Sequence, residues 1–229
     1  MNYLNNTISI GEVVAFNPLA TGIFKEYGID YCCGGHRPLL EVVNSQGINK
    51  EALYNKLQEA DIKRREQYIN HGNHFSEMSP VTLSAYIEDT HHSYLRKILP
   101  EALELLNTIM RVHGKNHREL FKMYQLFGSL KTDLEQHLLK EENLLFPILD
   151  KPSENIAEVK SLTNEIITEH EIAGEILREL RNASNNYTLP EDACATYQKT
   201  YALLIELEED LHQHIHLENN ILLKEYSTR

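Results

Sequence analysis

The chain has 229 residues, 41% of them hydrophobic and 24% charged, with a formal net charge of -12, enough for one good core or for a helical domain with a small appendage. That acidity argues against nucleic acid and against a membrane surface as partners, because both demand a basic face, and no apolar run approaches the roughly 20 residues needed to span a bilayer. The opening residues, Met1 to Thr7, lack the basic and apolar regions of a secretory signal, so a cytoplasmic protein is expected.

From Ile8 to Tyr27 apolar residues recur at helical spacing. Asn17-Pro18 opens a short second helix, and Gly28 stands where a helix stops. Next comes Tyr31-Cys32-Cys33-Gly34-Gly35, then further helices from about Pro38 to Val43 and from Asn49 to Ala60. Three cysteines, two of them adjacent, make no disulfide framework; Cys32 and Cys33 read as reactive thiols or ligands. A position just before a helix predicts thiol pKa values lowered by amide donors and the helix dipole. Cys194 is assigned a structural role.

Residues 61–79 are polar with little periodicity and read as a linker. The expected organisation is therefore a small helical Cys-Cys domain over 1–60, a linker over 61–79 and a bundle over 80–229. Four long helices are predicted, roughly 80–112, 116–149, 154–184 and 190–226, broken at Gly114, at Asp150 to Ser153 and at Asn185 to Pro190. Short connections between long helices predict an up-down-up-down four-helix bundle, an all-α fold.

The bundle reads as an internal duplication. His92 precedes His137 by 45 positions and His170 precedes His214 by 44, and each second histidine is followed four residues later by a glutamate, Glu141 or Glu218. On a helix that spacing stacks imidazole and carboxylate on one face. The apolar stripe of the second helix runs Leu130, Leu134, His137, Glu141, Leu144, Ile148; that of the fourth runs Leu207, Leu211, His214, Glu218, Ile221; the third carries His170 between Ile166 and Ala173. His212 and His216 fall about 200° from His214, with Glu208, and are expected in solvent. In the first helix periodicity slightly favours His92 over His91, and the duplication spacing favours it further.

A buried carboxylate without a cation costs several kcal/mol, and no Lys or Arg occupies the matching interior positions, so Glu141 and Glu218 call for metal. Four histidines and two glutamates exceed what one tetrahedral zinc needs. They fit two ions, each with a pair of imidazoles and both bridged by the carboxylates, with room for an oxo or hydroxo bridge; nitrogen and oxygen donors with open positions are typical of non-haem iron.

With these residues the chain resembles the Repair of Iron Centres family, hemerythrin-like di-iron proteins with an N-terminal cysteine-pair domain. The likeness covers nearly the whole length: Phe24 to Gly35, His92 with Leu95-Arg96, Arg111 to Gly114, His137 to Glu142, Glu169 to Gly174 and His214 to Asn220. It implies the ligand set His92, His137, Glu141, His170, His214 and Glu218 around two non-haem irons, and so selects His92 over His91. It departs from the family at His91, where an aromatic residue is usual. It further implies repair of iron–sulfur clusters damaged by nitric oxide or peroxide, with proteins bearing damaged clusters as partners and nitric oxide or oxygen as small ligands. Iron donation is the leading expectation; the alternative is a reversible nitric oxide or oxygen sensor, or an enzyme reducing nitric oxide with Glu169 or Asp133 relaying protons. A homodimer is expected.

Overall fold

The computed structural model describes Tyr3, residues 7–68 and residues 75–228, with side chains left out at 65–68. It is helical throughout: among the described residues the strand-like pairing is a single isolated bridge, Ser9 to Pro38, and no helix is long and apolar enough to cross a membrane. Two compact units emerge, one of residues 1–83 with 215–229 and one of residues 84–214.

In the first unit α1 (Ile10–Phe16), α2 (Ala20–Glu26), α3 (Leu39–Ser45) and α4 (Lys50–Tyr68) enclose a core that includes Val13, Phe24, Leu39, Val42 and Leu57. Ser9 caps α1 in a reciprocal box with Glu12, each taking a backbone N–H of the other. Gly28, at φ 65°, ends α2, and Ile29 donates back to the Phe24 carbonyl. Helix α4 continues through residues 61–68, which the polar composition gives to a linker. Asp61 explains this, because it is buried and takes hydrogen bonds from the Tyr3 hydroxyl and from Asn17 Nδ2 at 3.0 Å. Residues 69–74 of that stretch lie outside the described residues.

The second unit draws its core from α6 (Ser93–His113), α7 (Glu119–Lys140), α9 (Ile156–Ala183) and the part of α10 (Ala195–Leu217) that it contains. Gly114 caps α6 as predicted. The break after α9 is sharper than composition implies: Asn185, Asn186 and Tyr187 all have φ between 51° and 56°. Asparagine tolerates that left-handed region, whereas tyrosine does so only when fixed. Tyr187 is fixed by its N–H donating to Ser184 Oγ at 3.0 Å and by a buried ring set edge-on to Tyr201.

Three of the long helices contain a π turn: Glu88–His92 between α5 (Pro80–Ile87) and α6, Glu141–Leu145 between α7 and α8 (Phe146–Ile148), and Glu218–Leu222 after α10. Ser93, Phe146 and Leu223 each donate to the carbonyl five residues back, which belongs to Glu88, Glu141 and Glu218 respectively. Each such turn adds one residue and rotates the chain beyond it relative to an α-helix. The inward stripe therefore slips by one. Leu145 and Leu149 are buried in place of the predicted Leu144 and Ile148, with Leu144 52% exposed, and Leu222 replaces Ile221.

Glu208, placed in solvent by helical phase, is instead buried at 3% exposure and gripped by Arg181 through Nε at 3.0 Å and Nη2 at 2.6 Å. Replacing Arg181 with Leu strands that carboxylate and is expected to cost about 2–3 kcal/mol. Chemical unfolding of Arg181→Leu and of Arg181→Leu with Glu208→Leu checks this: the double variant should recover most of the loss.

Candidate metal centre

Five of the six ligands named from sequence lie in the second unit and are buried: His92, His137, Glu141, His170 and His214. The π turns help to set them there. Ahead of the first, Leu83 and Ile87 lead in phase to His91; after it, His92 leads to Leu95 and Leu99. Both neighbouring histidines are thus buried, one in phase with each side of the turn.

The Nε2 atoms of His92 and His214 lie 3.2 Å apart, and those of His137 and His170 3.1 Å apart. Two nitrogens about 2.1 Å from one ion and 90–109° apart would be separated by about 3.0–3.4 Å. Each pair thus has the spacing of two ligands on one metal. Glu141 stands between them, its Oε2 3.3 Å from Nε2 of both His92 and His137. One donor atom each from His92, Glu141 and His214 falls within a 4.8 Å cluster, and so does one each from His137, Glu141 and His170.

Charge points the same way. Neither oxygen of Glu141 accepts a hydrogen bond, although the side chain is fully buried. Glu208 is comparably buried but has Arg181; Glu141 has the imidazoles of His92 and His137 at 3.3 Å. A cation held by the Nε2 atoms supplies the compensation this carboxylate requires. The donor set fits metal, and imidazole with carboxylate suits iron.

The opposite edge of two of these rings is held by carboxylates. His92 Nδ1 pairs with Glu142 Oε1 at 2.7 Å, and Arg96 grips both oxygens of Glu142. His137 Nδ1 pairs with Glu169 Oε2 at 2.9 Å, and Lys140 joins Glu169 to Glu165. An Nδ1–H donated to a carboxylate leaves the Nε2 lone pair facing inward and makes it a better donor. Burial pushes Glu169 upward, but His137 and Lys140 outweigh it and hold its carboxyl at about 2. Glu142 is likewise below its ordinary range: burial raises it, and Arg96 with His92 lowers it further. The sequence pattern does not single out Glu142 and suggests for Glu169 a proton relay; their positions directly beside Glu141 and His170 are the available signal.

His91 is no member of either cluster, yet it is placed by them. Its ring stacks on His214 at 5.5 Å and 3° between planes, and Nδ1 pairs with Asp210 at 2.9 Å. Glu218, the sixth residue named from sequence, opens the π turn one helical step beyond His214 and is fully buried. A cavity of about 230 Å³ opens onto His137 and His170, with Asp133, Lys140 and Glu169 at its polar side and Leu130, Leu134 and Ile176 at its apolar side.

Several expectations are corrected. His216 is buried rather than solvated, because within the first unit it packs edge-on to Tyr31 and lies 3.1 Å from Asn220; burial lowers it to about 4. Helix α3 begins at Leu39, too far beyond Cys33 to lower a thiol pKa. Cys32 is instead pushed well up, by its hydrogen bond with Cys33 and by burial. Cys194 is exposed, its thiol lowered by the Tyr197 N–H at the start of α10 and by His113 Nε2 at 3.3 Å.

Residues 84–226 match the family model of the hemerythrin HHE cation binding domain, and residues 6–61 match that of a domain of unknown function named ScdA_N. Among similar proteins, the iron-sulfur cluster repair protein ScdA of Staphylococcus haemolyticus is 28% identical over 98% of this chain and 100% of its own length. ScdA of Staphylococcus epidermidis is 30% identical over 95% of this chain and 97% of its own. The iron-sulfur cluster repair protein YtfE of Yersinia pseudotuberculosis is 30% identical over 97% and 96%.

Glu142→Gln and Glu169→Gln should each weaken metal binding by about 10–100-fold, the usual result of removing a carboxylate that orients a ligand histidine. Competition with a chelator of known affinity measures it. Glu141→Leu should lose most bound metal while the metal-free protein gains about 1–3 kcal/mol, since an uncompensated carboxylate leaves the core; unfolding in the presence of chelator reads the second effect.

Proposed function

Since the chain belongs to the hemerythrin HHE cation binding family and, over nearly its whole length, to the iron–sulfur cluster repair proteins, we propose that it is a di-iron protein that repairs iron–sulfur clusters damaged by oxidative or nitrosative stress, by donating iron. The observation that carries this reading is the pair of histidine pairs meeting at one uncompensated glutamate, Glu141. In this reading His92 and His214 would hold one iron and His137 and His170 the other, with Glu141 and Glu218 as the carboxylates shared between them. Support for Glu218 comes from its step of four beyond His214, the same as from His137 to Glu141, and from the π turn that each glutamate opens. Iron bound there supplies an exchangeable, redox-active ion with open coordination positions.

The residues around the centre do the rest. Glu142 and Glu169 hold the Nδ1 protons of His92 and His137, so that the Nε2 lone pairs stay available. Phe146 stacks on the His92 ring at 5.7 Å. The other half adjoins the cavity, where Lys140 is shared between Glu165 and Glu169, so solvent, nitric oxide or oxygen has a way in on the His137–His170 side. A half with only two imidazoles and shared carboxylates is suited to releasing its ion. The recipients are proteins whose clusters have lost iron.

Protein purified without added metal is expected to carry about two irons per chain, with the absorption of a bridged di-ferric centre; zinc in their place would overturn the assignment. Incubated anaerobically with a damaged cluster protein, it should lose iron as the recipient's cluster returns, and Glu141→Leu should do neither. Full repair with no iron lost from the donor would remove donation. Nitrous oxide released with turnover on addition of nitric oxide would favour the enzyme instead.

A further inference from the structure

The donors of the cysteine turn form a cluster of their own within the first unit. We propose that Asp30, Cys32 and Cys33 form a second metal site, a three-ligand station for a thiophilic divalent cation such as ferrous iron or zinc, with one coordination position open to solvent. The inference stands apart from cluster repair and from the histidine centre, since every residue it uses lies in the first unit.

Spacing is the first support. One donor atom each from Asp30, Cys32 and Cys33 falls within a 4.8 Å cluster. The two Sγ atoms are 3.9 Å apart, whereas two sulfurs about 2.3 Å from a tetrahedral ion would be about 3.8 Å apart. Asp30 Oδ1 lies 3.2 Å from Cys32 Sγ, near the roughly 3.5 Å of an oxygen and a sulfur on such an ion. Neither cysteine is in a disulfide. Adjacent Cα atoms across a trans peptide are about 3.8 Å apart, below the roughly 4.4 Å that disulfides need, so this pair is better placed to share an ion than to bond to itself.

The frame is the second support. Asp30 Oδ1 also accepts the Cys32 N–H at 3.1 Å, which aims the carboxylate at the thiols. From behind, Asn220 Nδ2 donates to the Tyr31 carbonyl at 3.2 Å and the Cys32 carbonyl at 3.3 Å. A Cβ on Gly35 or on Gly11 would collide with the Asn220 side chain, and one on Gly34 with the Asp30 backbone. The two glycines after the cysteines are thereby accounted for: they let the turn close on its clamp. Exposure grades outward from buried Cys32 through half-buried Cys33 to exposed Asp30, so the fourth position faces water or an incoming ligand. Binding displaces both thiol protons to solvent, with no change of oxidation state.

The test uses the full chain, reduced, metal-depleted and anaerobic, titrated with cobalt(II) alone. A thiolate-to-cobalt charge-transfer band is expected, saturating near one ion per chain; the histidine centre has no sulfur and cannot produce it. The band should survive in Glu141→Leu and in Cys194→Ser, vanish in Cys32→Ser, and in Asp30→Asn saturate at concentrations higher by about tenfold or more, the order that loss of a carboxylate around a metal costs. Asn at position 30 keeps an acceptor for the Cys32 N–H, so that variant separates ligation from folding. Absence of the band in the wild type, its persistence in Cys32→Ser, or its loss in Cys194→Ser would overturn the site. Failure of the repair assay would leave it standing.

Discussion

A carboxylate fully buried among imidazoles, with no hydrogen bond to either oxygen, is the constraint on which the rest of the second unit depends. Burial of Glu141 is tolerable only with a cation, and among the described residues no Lys or Arg hydrogen-bonds to it. Glu208 shows what the same chain does when it means a glutamate to be structural: it supplies Arg181 at 2.6 Å. Around Glu141 it supplies four Nε2 lone pairs instead and turns two of the rings to face inward with carboxylates of their own. Those outer carboxylates are in turn balanced by Arg96 and Lys140. Charge therefore alternates outward from Glu141, through the imidazoles to the outer carboxylates and their cations.

Bringing those donors together asks something of the helices that regular α geometry does not give. A strict 3.6-residue repeat can set His137 and Glu141 on one face but then commits every later residue to the same phase. The π turn beginning at Glu141 releases that commitment: the glutamate faces the metal position, and the next apolar residues are re-registered, Leu145 and Leu149 taking over the core. The same kind of turn at Glu88–His92 carries two consecutive buried histidines, His92 among the clustered donors and His91 stacked on His214. Widened turns at the donors are thus the means by which one helix serves both a core and a site.

The π turns also separate what is legible in the sequence from what is not. The helices, their breaks and the inward-facing histidines can be read because up to the π turn each stripe keeps its period: Leu130, Leu134, His137 and Glu141 are all buried. Beyond it, periodicity misassigns Leu144 and Ile221 by one residue, since a helical wheel has no place for an inserted position. Periodicity separates His92 from His91 only slightly for the same reason, because both are buried. His216 and Glu208 are misplaced for a different one: their burial comes from partners remote in sequence, Tyr31 and Arg181, which no local pattern contains. The lowered thiol pKa expected at Cys32 fails because the helix beyond it begins only at Leu39.

The first unit shows how far a single polar side chain can organise a turn. Asn220 holds the carbonyls of Tyr31 and Cys32 and meets His216 Nδ1 at 3.1 Å, while Gly11 and Gly35 give up side chains to admit it. His216 lies one helical step before it, and burial lowers that ring to about 4, so the contact is made by a neutral imidazole. Glu218 lies in the same stretch, at the start of the turn that contains Asn220. A helix end that carries Glu218 and, two residues on, the clamp of the cysteine turn cannot shift one without moving the other. The geometry of the Cys-Cys pair is thereby tied by a short covalent path to the residue assigned as the second bridge, and the neutral His216 makes that tie one of packing and hydrogen bonds rather than of charge.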